Sequence, residues 1–598
     1  MTNSIEDISN QAFDFVVVGA GTAGLVIASR LVADPSITVA VLEAGPDLQG
    51  DPAIDIPAPP GITMNSSKYA WIFKSTPQAH LGHREVPMPR GKTLGGSSAV
   101  NFLAWCKPPA GDVDDWEKLG NVGWNWERFQ RYAKKVESFT PAGPERQELH
   151  KRSNLSSHGI NGPLKTKFPE WIFKGDSKIR DTLHAAGIPN AEDPYGGNPI
   201  GTCTLAATVD PVTHTRSYSA SSYYHPNMDK ENLTVLCNSV VEMIQFSPTV
   251  SGEDIKATGV YFHYDNVKYV VHVRKEVILC AGALKTPQIL EQSGIGSGDV
   301  LTPLGIPVNV ELPGVGANLQ EHVYCGVVFE LDSTYETLDK LSDPVFATEQ
   351  LTLHREQKGM LTMTCTNYTF APLKLITTHA PELIAEQRGH IEEKIRSGSL
   401  PPGLTEQWLL QLERLEEARS GECEMIAFPA MLFGGAPEPG KSYLTIAGAN
   451  NSLFSRGSVH ITSKDPHVDP DIDPHYFEED FDLKVLAEVL KFTRRLAELE
   501  PLKSMIAKEV FPGPAVSEED ELVNFIKKYL DSVYHTTSTA SMLPRNKNGV
   551  VDGKLRVYGT TNLRIADLSI IPLHIAAHTQ SSAYAIGEIA ADIVRDAM

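Results

Sequence analysis

A short apolar segment that runs into a glycine-rich turn and then into an apolar helix start constrains this 598-residue chain more than any other feature. Residues 13–18 (FDFVVV) have the aromatic and β-branched composition of a buried parallel strand. Residues 19–24 (GAGTAG) follow at once, and residues 25–32 (LVIASRLV) continue as a helix. A strand, a GxGxxG turn and a helix in this order predict a dinucleotide-binding unit.

The residues of this turn suit a pyrophosphate. Gly19 permits the tight turn, Gly21 lets the backbone approach the ligand, and Gly24 lets the helix pack against the strand. Thr22 and Ala23 stand at the helix N-terminus, which attracts an anion.

A second predicted strand, residues 37–42, ends at Glu43 and Ala44. The Glu43 carboxylate can accept hydrogen bonds from the ribose hydroxyls of a dinucleotide. The pattern does not choose between FAD and NAD, and a glycine-rich turn without a ligand is the alternative reading.

Composition narrows the function classes. The net charge is −21 without a dense Lys/Arg cluster, which argues against nucleic acid as a partner. The first residues lack the apolar core of a secretory signal, and no apolar segment is long enough to span a bilayer. Seven dispersed cysteines without CxxC spacing indicate neither a disulfide framework nor a zinc site. We therefore expect a cytoplasmic protein with no membrane association and no metal.

Two long segments resemble the signatures of the glucose–methanol–choline (GMC) flavin oxidoreductases. They are residues 91–101 (GKTLGGSSAVN) and 281–296 (AGALKTPQILEQSGIG). Shorter blocks resemble the family in the same order, at 69–71, 76–78, 215–217, 313–322, 455–457 and 563–567. The resemblance covers nearly the whole chain. It implies an α/β, Rossmann-like FAD-binding domain and an α+β substrate domain with an antiparallel sheet.

The resemblance also implies the residues that contact FAD. Beside the glycine turn, Glu43 and Ala44, these are Leu94, Gly96, Ser97, Asn101, Val241, Asp567 and Thr579. The Val241 backbone matches the position that meets the adenine, and Asp567 lies where relatives contact the flavin ribityl chain. Some relatives attach FAD through a His at the position of Val100; because valine has no nucleophile, we expect non-covalent FAD.

Two histidines are the candidates for acid–base chemistry. His535 stands in residues 535–542 (HTTSTASM), which resemble the family motif HxxGTxxM, and His578 matches a second family His or Asn. A base with a pKa near neutrality is the natural aid for removing a hydroxyl proton, and histidine is the usual choice. The resemblance implies that His535 is the base and that His578 assists; two structural histidines are the alternative. Tyr534 is a candidate substrate contact or, equally, a core tyrosine.

Ser538 departs from the motif, where the family has glycine. The extra hydroxymethyl group could be silent, or it could crowd or redirect the His535 loop.

The order of the motifs predicts two discontinuous domains. Residues 14–109, 233–325 and 545–598 are expected to form the FAD-binding domain, and residues 110–232 and 326–544 the substrate domain. Residues 379–419 have helical spacing interrupted by Pro401 and Pro402, which favours a solvated helix pair over a lid. Residues 359–370 are either pocket lining or core strand.

Together these features predict FAD-dependent oxidation of an alcohol to a carbonyl, with reoxidation by O2 or another acceptor. A lyase or cyclase that keeps FAD without net redox is the alternative, and a flavin-binding scaffold without activity is a third. The sequence does not identify the alcohol.

Overall fold

The glycine turn folds as the sequence predicts. The computed structural model describes residues 4–58, 61–142, 154–248 and 253–598. The strand Ala12–Val18 ends directly before Gly19, and the helix Thr22–Leu31 begins three residues after that glycine. Gly19 has a φ of +98°, and a Cβ there would lie 2.5 Å from the carbonyl oxygen of Cys280. A Cβ on Gly24 would lie 2.0 Å from the oxygen of Gly19, so glycine at both positions is a steric requirement.

A seven-stranded sheet surrounds this turn. Its strands lie in the order Leu233–Leu236, Val39–Leu42, Ala12–Val18, Val267–Leu279, Ala257–Tyr264 and Val240–Phe246, with Leu563–Ile565 paired to the end of Val267–Leu279. The pairings of the first four strands and of Leu563–Ile565 are parallel, whereas the last three strands in the order form an antiparallel meander. The strands Val39–Leu42, Leu233–Leu236 and Leu563–Ile565 are buried along their whole length, as in other sheets covered on both faces.

A second sheet is antiparallel throughout. Its strands are Asn367–Ala371, Cys423–Phe428, Tyr443–Asn450, Val323–Leu331 and Ile506–Phe511, with Asp531–Ser532 paired to Val323–Leu331. The strand Val323–Leu331 crosses the boundary proposed between residues 325 and 326. The predicted fold class, a Rossmann-like parallel sheet plus a substrate domain with an antiparallel sheet, is confirmed.

Smaller sheets and the helices complete the described residues. The smaller strands are Ala70–Trp71 with Arg90–Gly91, Ile295–Gly296 with Val310–Glu311, Ser458–His460 with Asp471–Asp473, and the set Ala104–Trp105, Ala206–Ala207, Leu164–Lys167 and Glu137–Thr140. The α-helices are Thr22–Leu31, Pro52–Asp55, Ala110–Lys118, Trp126–Val136, Asp176–Ala185, Gly282–Gln292, Gly298–Leu301, Pro344–Arg355, Leu373–Ile376, Ala380–Ser397, Leu404–Glu417, Asp480–Leu496, Glu519–Tyr529 and Gln580–Asp596. Within the described ranges, none of them combines the length and the apolarity needed to cross a bilayer.

Each large sheet has its own apolar core. One core surrounds the seven-stranded sheet and includes the helices Thr22–Leu31 and Gln580–Asp596, which pack against each other. Gly587 allows this contact, because a Cβ there would lie 3.0 Å from the oxygen of Ala23. The second core surrounds the six-stranded sheet.

Residues 379–419 form the expected helix pair, Ala380–Ser397 and Leu404–Glu417. Only one face of each helix is buried: Ile384 and Ile391 on the first, and Trp408 and Leu412 on the second, join the core of the six-stranded sheet. The pair is therefore anchored to the substrate-domain sheet and solvated on its other face.

Candidate active site

A cavity of about 410 Å³ lies where the carboxyl ends of the parallel strands meet the antiparallel sheet. All but two of the predicted site residues line it: Gly19, Gly21, Thr22, Ala23, Glu43, Ala44, Gly96, Ser97, Asn101, Val241, Tyr534, His535, Asp567, His578 and Thr579. The exceptions are Gly24, which packs against Gly19, and Leu94, which is buried in the core and donates its backbone N–H to the oxygen of Pro46.

Two glycine turns touch back to back at one end of the cavity. A Cβ on Gly96 would lie 2.7 Å from the Cα of Gly21. The helix Thr22–Leu31 begins beside this contact, and Gly21 and Thr22 line the cavity. A helix N-terminus flanked by bare backbone is a favourable position for a phosphate.

Glu43 is fixed by backbone donors. Its Oε2 accepts a hydrogen bond of 2.9 Å from the Ala20 N–H, and its Oε1 accepts one of 2.8 Å from the Gly45 N–H. Burial raises the pKa of the Glu43 carboxyl to about 7. The side chain thus holds the glycine turn in place while it also lines the cavity.

Asp567 organises the start of another helix. Its Oδ2 accepts hydrogen bonds from the Gly282 N–H at 2.9 Å and from the Thr286 hydroxyl at 2.6 Å, and its Oδ1 accepts one of 2.8 Å from the Ser569 N–H. Burial raises the pKa of the Asp567 carboxyl. The N-terminus of the helix Gly282–Gln292, within the second signature segment, is thereby held at the cavity wall.

Asn101 joins the first signature segment to the C-terminal helix. Its Nδ2 donates to Oε1 of Gln580 at 2.6 Å, and its Oδ1 accepts from Nη1 of Arg216 at 2.8 Å. Thr579 stands immediately before that helix, Gln580–Asp596. Val241 lies near the start of the strand Val240–Phe246 and is buried.

These residues fit FAD. Glycines whose Cβ atoms would meet backbone occur at two turns, and the N-termini of three helices border the same cavity. Val100 lines the cavity with a side chain that cannot form a covalent link.

Four histidines meet at the other end of the cavity. Nδ1 of His535 lies 3.0 Å from Nδ1 of His322, and the ring centroids of His535 and His578 are 4.8 Å apart. The His322 ring stacks on the ring of His574 with a centroid distance of 3.8 Å. Nε2 of His535 has no hydrogen-bond partner among the described residues, and His535 lines the cavity.

Burial keeps the rings of His322, His535 and His574 neutral. Desolvation, with further contributions from His578, His574 and Arg90, holds the pKa of His535 well below its ordinary value. Desolvation likewise lowers the pKa of His574 to about 3. His574 has a defined tautomer, because its Nδ1 accepts from the Ile575 N–H at 2.9 Å and its Nε2 donates to the oxygen of His535 at 2.9 Å.

His578 is held by a buried carboxylate. Its Nε2 lies 2.7 Å from Oε1 of Glu424, and Oε2 of Glu424 accepts a hydrogen bond of 2.9 Å from Asn451. Tyr368 packs edge-on against the His578 ring at 5.5 Å. These contacts fix the orientation of the His578 imidazole at the cavity wall.

The comparisons with known proteins agree with this arrangement. A sequence model of the GMC oxidoreductase family matches residues 13–324, and a second model of the same family matches residues 454–587. The chain belongs to the GMC oxidoreductase family. It is therefore an oxidoreductase acting on CH–OH groups, and FAD is the cofactor typical of its family.

Individual relatives match along nearly the whole length. A GMC oxidoreductase family protein of Malassezia sympodialis is 34% identical over 98% of this chain and 93% of its own length. A dehydrogenase of Monascus purpureus is 34% identical over 99% of this chain and 98% of its own. The solved structure of a fungal aryl-alcohol oxidase has a TM-score of 0.87 and 29% identity, covering 98% of this chain and 99% of that one.

The motif serine of this GMC oxidoreductase has an unusual backbone. Ser538 is fully buried with a φ of +76°, a region that glycine adopts without strain, which explains why the family motif has glycine here. Its hydroxyl lies 2.9 Å from the Thr537 hydroxyl. The side chain is therefore accommodated, and His535 still lines the cavity.

Tyr534 also has a positive φ, +65°, which turns the chain just before His535. Its hydroxyl is hydrogen-bonded to Tyr324, and burial raises the pKa of Tyr534. Both tyrosines line the cavity. In residues 359–370 both readings apply, because Cys365 and Tyr368 line the cavity while Tyr368 belongs to the strand Asn367–Ala371.

Sequence reasoning assigned no role to five residues of this site. Glu321 and His322 close the block at residues 313–322, and His574 stands four residues before His578. Proximity to the recognised motifs was the available signal for these three. The same signal applied to Arg90, which directly precedes the segment at residues 91–101. Glu424 gave no signal, because its role depends on strands that meet only in the folded chain.

Proposed function

We propose that this GMC oxidoreductase oxidises a neutral alcohol to the carbonyl compound, with His535 as the general base. The observation that carries the proposal is the state of His535: a buried ring that stays neutral, with Nδ1 paired and Nε2 unpaired beside the cavity. A lone pair at Nε2 can take the hydroxyl proton of the alcohol.

His578 has a complementary role in this proposal. Because Glu424 occupies its Nε2, the remaining ring nitrogen, Nδ1, is left without a partner among the described residues. Nδ1 is therefore the ring atom of His578 that is free to contact the substrate alcohol and orient its hydroxyl toward His535. Burial, with a further contribution from His578, holds the pKa of His535 well below its ordinary value and so keeps the base deprotonated.

Non-covalent FAD would be held by the two glycine turns, by Glu43 and Val241, and by the start of the helix Gly282–Gln292, which Asp567 fixes. When bound, FAD supplies a hydride acceptor at N5, and O2 or another acceptor then reoxidises it.

The cavity wall near the histidines suggests the kind of alcohol. Aromatic and aliphatic side chains dominate it: Tyr324, Tyr368, Ile426, Phe428 and Leu432. Glu424, the carboxylate nearest His578, is fully buried behind that ring and paired with it. This lining suits an alcohol with an apolar or aromatic body, in agreement with the aryl-alcohol oxidase among the similar structures.

An anaerobic substrate screen tests the proposal. Benzylic, allylic and long aliphatic alcohols should bleach the flavin and yield the aldehyde or ketone in a 1:1 ratio with reduced flavin. Choline and sugar alcohols of the same chain length serve as charged and polar comparisons and should reduce it more slowly. Formation of a non-redox product without bleaching would instead establish a lyase or cyclase.

A further inference from the structure

His322 and His535 belong to two separate motif segments, 313–322 and 535–542, and they contact each other in the folded chain. The two Nδ1 atoms lie 3.0 Å apart, so one proton lies between them and one ring must accept. The rings are nearly perpendicular, at 88°, which points the ring edge of one residue at the other.

The location of that proton decides whether His535 can act. If it belongs to His322, a neutral His535 carries its own proton on Nε2 and has no lone pair for the substrate. If it belongs to His535, the Nε2 of His535 is a free base. After His535 takes a proton from the alcohol, both of its nitrogens carry hydrogen, and Nδ1–H requires an acceptor.

We propose that His322 is a positioning residue for His535: its Nδ1 accepts the Nδ1–H of His535 and so keeps the tautomer whose Nε2 is a base. The inference rests on the proposed function. It is the arrangement in which a third group orients a catalytic histidine, here with a neutral imidazole in place of a carboxylate.

The surroundings of His322 keep it an acceptor. Its ring stacks on neutral His574 and is fully buried. Burial, with further contributions from the other three histidines, holds the pKa of His322 well below its ordinary value. His322 itself is fixed in the chain, because its backbone N–H donates to Oε1 of Glu321 at 3.0 Å. The same oxygen accepts the backbone N–H of His535 at 2.6 Å, so one carboxylate sets the spacing of both residues.

The arrangement has a cost. Nε2 of His322 is buried without a partner among the described residues, and in the productive tautomer this atom carries the ring proton. An unpaired buried donor destabilises the folded protein, which is a common feature of functional sites. Removing the ring should therefore reduce activity without a matching loss of stability.

Two substitutions of His322 separate the effect of its hydrogen-bond acceptor from the effect of its side-chain volume. His322→Asn places an amide oxygen within reach of the Nδ1 position, whereas His322→Leu fills the space without an acceptor. The control is His225→Leu, because Nε2 of His225 is also buried without a partner, yet His225 does not line the cavity. We expect single-turnover flavin reduction to fall about 30-fold or more in His322→Leu, and to stay within about fivefold in His322→Asn and about twofold in the control.

A double variant that combines His322→Leu with His535→Ala distinguishes a positioning role of His322 from a purely structural role. If His322 acts through His535, the double variant His535→Ala/His322→Leu reduces flavin as slowly as His535→Ala alone. A further loss equal to the single His322→Leu effect would overturn the proposal. If His535→Ala retains normal reduction, the proposed base itself is wrong, which is a different outcome.

A second readout does not depend on turnover. In the FAD-loaded protein with ¹⁵N-labelled histidine, the resonances lost in His535→Ala identify His535. They should show a neutral ring protonated at Nδ1 in the wild type and in His322→Asn. A ring protonated at Nε2 in the wild type would contradict the assignment, even if His322→Leu fails to fold.

Discussion

The backbone N–H of His535 donates a hydrogen bond of 2.6 Å to Oε1 of Glu321. Oε2 of the same carboxylate accepts from the Thr536 hydroxyl and pairs with Arg90 at 3.4 Å. Glu321 is fully buried, so this carboxylate holds the loop that presents the proposed base.

Glu321→Ala should displace that loop. A displacement of about 1 Å costs a catalytic group about 100-fold in rate. We therefore expect flavin reduction to slow by about 10- to 100-fold, with little loss of bound FAD. Stopped-flow absorbance measures the rate. Glu291→Ala is the matched control, because Glu291 is also buried, accepts a backbone N–H and pairs with the side chain of His460, but lies off the cavity. An equal loss of rate in both variants would show a general effect of lost burial.

Acid should destabilise the protein through its buried histidines. The pKa of His574 is about 3 in the folded protein, against about 6.5 when unfolded, so below pH 6.5 the unfolded chain binds the extra proton. Stability is therefore full above pH 6.5 and falls as the pH drops toward the folded value. For His574 alone the loss between pH 6.5 and 5 is about 2 kcal/mol.

Urea unfolding at pH 7 and pH 5 measures this dependence. In His574→Gln the difference between the two pH values should shrink by about that amount, while the same substitution at exposed His80 controls for the replacement itself. An unchanged difference in His574→Gln would mean that His574 is not buried neutral.

The left-handed backbone at Ser538 predicts a rank order of stability. Ser538→Ala and Ser538→Gly lose the same hydrogen bond to Thr537, but only glycine relieves a φ of +76°. Ser538→Gly should therefore unfold with a free energy about 1 kcal/mol higher than Ser538→Ala. At Ser541, which has a negative φ, the order should reverse. Equal stability of the two Ser538 variants would remove the explanation for the motif glycine.

Gly96→Ala should weaken FAD binding, because its Cβ would push against the Gly21 backbone at 2.7 Å. Gly82→Ala carries a similar conformational cost, with a φ of +64° and no atom within 4 Å, and should retain FAD. Acid precipitation releases non-covalent flavin for quantification. We expect at least about a tenfold loss of affinity in Gly96→Ala only, which corresponds to about 1.4 kcal/mol. Full FAD occupancy in Gly96→Ala would refute the proposed pyrophosphate position.

The sequence was most informative where one local pattern carries its own steric reason. Gly19 and Gly24 are required within a single turn, and the strand predicted at residues 13–18 is the observed strand Ala12–Val18 with one residue added. The contacts of His535 were not predictable in the same way. His322 lies 213 positions away, and its distance to His535 depends on the pairing of Val323 with Ser532 between two strands. Nothing in a single sequence specifies that register.

The proposed function depends on removal of the hydroxyl proton by His535 during oxidation. The most direct measurement is anaerobic single-turnover flavin reduction by the best alcohol from the screen, comparing wild type with His535→Ala at equal FAD content. We expect a loss of about 100-fold or more with FAD still bound. Reduction at a rate close to that of the wild type would contradict it.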